Sequence, residues 1–176
     1  MATANYDGRL TILDRLNQTV NEAAALFSAA DESLCDGHQT ARQVLSHLVF
    51  WHREYVQILR ALLRGREPLL QSGSFAALNA QAACEFSDQS LPALAGRLTE
   101  LQAQLDGLAR QLPDWTADFP VKRGGRHWSI EARLCTIESH IRNHLVALQR
   151  AARHGAAWVR AYYPTAVQAT RMGGVH

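Results

Sequence analysis

Ser90-Leu91-Pro92-Ala93-Leu94-Ala95-Gly96-Arg97-Leu98-Thr99-Glu100-Leu101-Gln102-Ala103-Gln104-Leu105-Asp106-Gly107-Leu108-Ala109-Arg110-Gln111-Leu112 decides the fold class. Its leucines at 91, 94, 98, 101, 105, 108 and 112 are spaced alternately by three and four, so they fall on one stripe of an α-helix. Ser90 supplies an N-cap, Pro92 suits the first turn, and Pro113 stops the helix. Three more long segments carry such a stripe. The first runs from Gly8 to Ala30 on Leu10, Leu13, Leu16, Val20 and Phe27. The second is capped by Thr40 and runs to Arg64, with Gly65 as the left-handed residue after it. The last begins near Ser129, carries Ile130, Leu134, Ile137, Ile141, Leu145 and Leu148, and ends at His154-Gly155. No strand is expected. Each stripe can be buried only against the others, so the chain reads as all-α, a four-helix bundle.

The connections differ in length. About 25 residues separate the second and third long helices, with a short helix expected over Phe75–Phe86. Antiparallel neighbours need only a few residues, so this link is long enough for a crossover. The 113–128 link, with Trp115, Lys122, Arg123, Gly124, Gly125, Arg126, His127 and Trp128, is expected to cover one end of the bundle. The bundle takes residues 1–155. A tail, 156–176, is expected to dock in part through Trp158, Tyr162 and Tyr163 and to be disordered from Thr170.

The 176 residues and 47% hydrophobic content fit one domain with one core. A net charge of +2 gives no argument for nucleic acid or a membrane surface, and no apolar run reaches the roughly 18 residues of a membrane span. The first residues lack a signal-peptide pattern. Cys35, Cys84 and Cys135 are odd in number and far apart, so they read as reduced thiols of a cytoplasmic protein, with Cys84 and Cys135 in the core.

The chemistry concentrates in histidine. His140-Ile-Arg-Asn-His144 places two imidazoles one turn apart on one helix face, about 40° from each other, beside the inward stripe. Eight histidines in this length produce roughly 0.4 such pairs by chance, so the pair needs a partner elsewhere. The second helix offers two. His52 lies about 40° from the centre of its apolar face and His47 about 100° away on the other side, and burial alone favours His52. The sequence is not His-Glu-x-x-His, which excludes a zincin-type protease. Glu138 and Arg142 are expected to form a solvated i,i+4 pair.

Thr40-Ala-Arg-Gln-Val-Leu-Ser-His47-Leu48 resembles the opening of the second helix in the DinB/YfiT-like family, where a histidine at this place is the first metal ligand. His140-Ile-Arg-Asn-His144-Leu145 resembles the same family's paired ligands, and Phe75-Ala-Ala-Leu-Asn79 its mid-chain segment in a subgroup that includes a cyclopropane hydrolase. The resemblance spans residues 8–153. It implies an up-down-down-up bundle with a long crossover between the second and third helices. It also implies a divalent ion, zinc or nickel, on His47, His140 and His144. Relatives transfer low-molecular-weight thiols, isomerise with a thiol cofactor, or hydrolyse strained electrophiles.

A three-imidazole site with open positions is the usual form of a catalytic metal centre. The expectation is therefore a metal-dependent hydrolase or thiol transferase acting on a small-molecule electrophile, with water or a small thiol as nucleophile. Glu54 is a candidate base, or an acceptor behind a ligand, and Arg133 a candidate for holding a substrate carboxylate, while the loop tryptophans and His127 are candidates for the mouth. Two rivals stay open: a non-catalytic bundle that sequesters a small molecule, and a helical interaction module without metal. A homodimer also stays open.

Overall fold

The computed structural model describes residues 2–155; the tail, with Trp158, Tyr162, Tyr163 and the segment from Thr170, lies outside the described residues. Helices α1 (Ala2–Ala29), α2 (Ala41–Leu63), α3 (Phe75–Glu85), α4 (Leu91–Gln111) and α5 (Ile130–His154) are joined by two short strands, β1 (Asp118–Phe119) and β2 (Trp128–Ser129).

The helix starts are chemical. Thr40, Ser74, Ser90 and Ser129 each sit in extended backbone, and each hydroxyl accepts from the amide three residues on. At Thr40 the Gln43 side chain also accepts from the Thr40 amide, which completes a capping box. Gly65 takes the expected left-handed conformation, φ 61°, after α2. The α1 helix starts six residues before the expected Gly8, because one glycine costs a helix only about 1 kcal/mol and terminates nothing.

The stripes meet as their spacing requires. Leu13, Leu16, Val20 and Phe27 from α1, Leu45, Leu48 and Leu59 from α2, Leu94, Leu98 and Leu105 from α4, and Leu134, Ile141 and Leu148 from α5 form one buried cluster. Helix α4 packs on α1 and α2, α1 on α5, and α3 on α2. Helices α2 and α5 also touch, and that contact holds the histidines. Asn79 of α3 accepts from the Trp51 indole at 2.9 Å, and Phe75 lies against the same ring, so the mid-chain segment is fixed to α2.

Three expectations need correction. β1 and β2 pair antiparallel, Asp118 with Ser129 and Phe119 with Trp128; the turn between them depends on Gly125, where a Cβ would lie 2.9 Å from the Lys122 carbonyl. Two-residue strands are too short to leave a period-two pattern. Cys84 and Cys135 are exposed, because each lies on the outer side of its helix. Glu138 is buried, not solvated: it accepts from Thr19 and Arg15 of α1 as well as from Arg142, and so ties α5 to α1.

Candidate metal centre

Helix α2 presents His47 in its second turn, and α5 presents His140 and His144 one turn apart. Their ring centroids lie 4.7–5.4 Å from one another. One ring nitrogen from each falls within 4.8 Å of the other two. His47 Nε2 is 3.2 Å from His140 Nε2, while His47 Nδ1 is 3.1 Å from the Gln43 carbonyl. A carbonyl only accepts, so the proton of neutral His47 sits on Nδ1 and the Nε2 lone pair points at the pair on α5. His144 Nε2 is buried and has no hydrogen-bond partner among the described residues.

These observations test whether the donors fit a metal. Two nitrogens on one tetrahedral zinc ion, each about 2.0–2.1 Å from it, are about 3.3 Å apart, so the 3.2 Å separation already suits ligation. The widest pair has to contract by at most about 1.5 Å. The buried His144 Nε2, without a hydrogen-bond partner among the described residues, is an atom that a shared cation would satisfy, and the three residues fit such an ion.

The electrostatics agree. Burial holds the His47 imidazole well below its ordinary value, and charge on His144 and His140 would lower it further. His140 is pushed down to about 3, by burial first and then by His144 and His52. Both rings are therefore neutral at neutral pH, and no proton competes for their lone pairs. His140 is half-buried, the most exposed of the three.

His52, favoured by burial alone, lies outside the group. It is 1% exposed, its Nδ1 is 3.0 Å from the Leu48 carbonyl, and burial lowers it to about 4. His47, at the edge of the α2 stripe, is equally buried at 2% because α5 closes over that edge.

Glu54 and Arg133 sit elsewhere. The Glu54 carboxylate accepts from Arg53 and from Gln71 at 3.0 Å, about 10 Å of helix rise beyond His47. Arg133 donates to the carbonyls of Phe119 and Arg126 and stacks against Trp128, about 10 Å of rise before His140. It borders a small cavity with Tyr55, Leu59, Leu105, Phe119 and Ile137. The 113–128 loop thus packs over Arg133: Trp115 is buried and donates to the Ala109 carbonyl, and His127 is an exposed neighbour of Asp118.

Sequence reasoning missed Asp36. This carboxylate is 1% exposed, and its Oδ2 lies 3.7 Å from His144 Nδ1. The α1–α2 link gives no periodic signal; an Asp two and three residues before the amides of a tight turn was the only trace. Comparison of the chain with protein-family models, curated proteins and solved structures returns no match.

Proposed function

We propose that this chain is a metal-dependent enzyme acting on small electrophiles, a hydrolase or a thiol transferase on a DinB/YfiT-like up-down-down-up bundle. The observation that carries the reading is the convergence of His47, His140 and His144, with donor atoms within 4.8 Å of one another and the buried His144 Nε2 lacking a hydrogen-bond partner among the described residues. The topology has support in the order of cross-helix contacts. Asn17 meets Asp106 while Arg9 meets Pro113, which suits antiparallel α1 and α4. Arg42 meets Gln89 while Arg60 meets Gln104, which suits parallel α2 and α4 joined by a crossover through α3.

A divalent ion, zinc or nickel, would supply a Lewis acid that lowers the pKa of a water molecule or small thiol at its open positions. His47 and His144 form the buried wall of the site, and half-buried His140 marks the side where substrate enters. The Gln43 carbonyl holds His47 in the tautomer that leaves Nε2 free. Among the described residues no carboxylate belongs to the donor group, and the Glu54 oxygens are already engaged. That favours a thiol nucleophile over water, because a thiol held as thiolate needs no separate base. Arg133 and Glu54 stay with the framework in this reading.

The test uses untagged protein prepared without chelator and loaded with zinc or nickel. One ion per chain is expected; His140→Ala and His144→Ala abolish stoichiometric metal, and His52→Ala does not. Full retention in His47→Ala refutes the ligand set. Product from a thiol and an epoxide or haloarene should exceed several equivalents per chain. Saturable binding that stops at one equivalent replaces the enzyme with a sequestering bundle.

A further inference from the structure

Asp36 sits behind the ligand cluster on the short link between α1 and α2. Its Oδ1 accepts from the amides of His38 and Gln39 at 2.9 and 2.8 Å, and its own amide donates to the Gln39 carbonyl at 3.0 Å. That turn fixes the carboxylate. Among the described residues its other oxygen, Oδ2, is buried without a hydrogen-bond partner and lies 3.7 Å from His144 Nδ1, while His144 Nε2, also without a partner there, is the atom left for the cluster. A buried carboxylate oxygen with no donor is costly, and the adjacent imidazole can provide one. At 3.7 Å the pair is not yet a hydrogen bond; reaching about 2.8 Å takes a ring movement of about 0.9 Å.

We infer that Asp36 is the positioning residue for His144: its carboxylate holds the imidazole proton on Nδ1 and thereby keeps the Nε2 lone pair directed at His47 and His140. The inference rests on the proposed metal site but concerns the chain's own proton arrangement. The Gln43 carbonyl does the same for His47. Two of the three ligands are thus set by acceptors fixed in the backbone or in a turn, and half-buried His140 is left to adjust. Ligand histidines are commonly oriented by such acceptors, and losing one weakens metal binding by about 10–100-fold.

The informative variant is Asp36→Asn. The Asn carbonyl can still accept from the His38 and Gln39 amides, so the turn persists, but the amide nitrogen replaces Oδ2 and presents a donor to His144. The ring answers by moving its proton to Nε2, the atom that must ligate. In metal-free protein, nitrogen chemical shifts of His144 are expected to report Nδ1–H in the wild type and Nε2–H in Asp36→Asn, with assignment by loss of the signals in His144→Gln. Zinc titration should show at least about tenfold weaker binding in Asp36→Asn with helicity unchanged. A wild-type His144 protonated on Nε2 overturns the inference, and this reading needs no variant to fold. Equal zinc affinity in wild type and Asp36→Asn also overturns it. If the wild type binds no zinc yet shows the Asp36-dependent tautomer, the metal reading fails and the positioning contact stands.

Discussion

Acidification should destabilise the metal-free protein well above the pH at which carboxylates protonate, and His52 supplies a measurable share of the loss. The ring is 1% exposed and its folded value is about 4, against an ordinary 6.5. Below 6.5 the unfolded chain takes a proton that the folded chain refuses. The stability associated with neutral His52 is therefore complete above pH 6.5 and drains away as the pH falls towards 4. Each unit of depression is worth about 1.4 kcal/mol, so the loss from this ring reaches about 2 kcal/mol at pH 5 and about 3 kcal/mol near pH 4. His140, lowered to about 3, loses stability in the same direction and adds to the total. Urea denaturation of chelator-treated wild type and His52→Leu, each at pH 7.5 and pH 5, isolates the term, because each protein is compared with itself. The wild type should lose about 2 kcal/mol more than the variant over that interval. Equal losses in the two proteins would refute the argument that the buried His52 resists protonation.

Chelation should leave far-UV helicity intact and lower the melting temperature only modestly, since the apolar stripes and not an ion hold the helices together; unfolding at room temperature would make the site structural. Leu98, fully buried in the seam of α4, should cost about 2–5 kcal/mol as Leu98→Ala, whereas Leu69→Ala, at an 87% exposed position, should stay within about 0.5 kcal/mol in the same urea titration.

The fold was legible because its signals are local. A leucine stripe, a serine or threonine cap and a glycine or proline stop each act within a few residues, and the boundaries of α2, α3, α4 and α5 follow them within a residue or two. What escaped depends on who packs against whom. Glu138 looks solvated beside Arg142 until α1 brings Thr19 and Arg15 to it. Cys84 and Cys135 look like core residues by type, yet their helix phase faces outward. Periodicity along α2 ranks His52 above His47, because it measures the angle from the stripe and carries nothing about the helix that closes the edge. Asp36 is further from reach: its importance lies in a turn geometry and in a histidine more than one hundred residues later.

Burial links the two behaviours of this histidine-rich interior. An imidazole that cannot accept a proton inside the bundle is neutral at every pH where the chain is folded and healthy, which is the state a divalent ion requires. The same refusal makes the protein acid-labile, because the unfolded chain has no such restriction. His47 and His140 share this property, but His52 differs from them in one respect: it is not among the residues whose donor nitrogens converge. A cation shared by three lone pairs can repay the desolvation of His47 and His140, while His52 keeps its cost. Metal loading should therefore raise the stability by an offset without flattening its fall in acid, because the unfolded chain still takes up the protons that the ligated rings refuse. The His52 share, the difference in acid loss between wild type and His52→Leu, should therefore be about 2 kcal/mol between pH 7.5 and pH 5 with zinc bound as without it; a His52→Leu variant that no longer binds zinc would place His52 among the ligands after all.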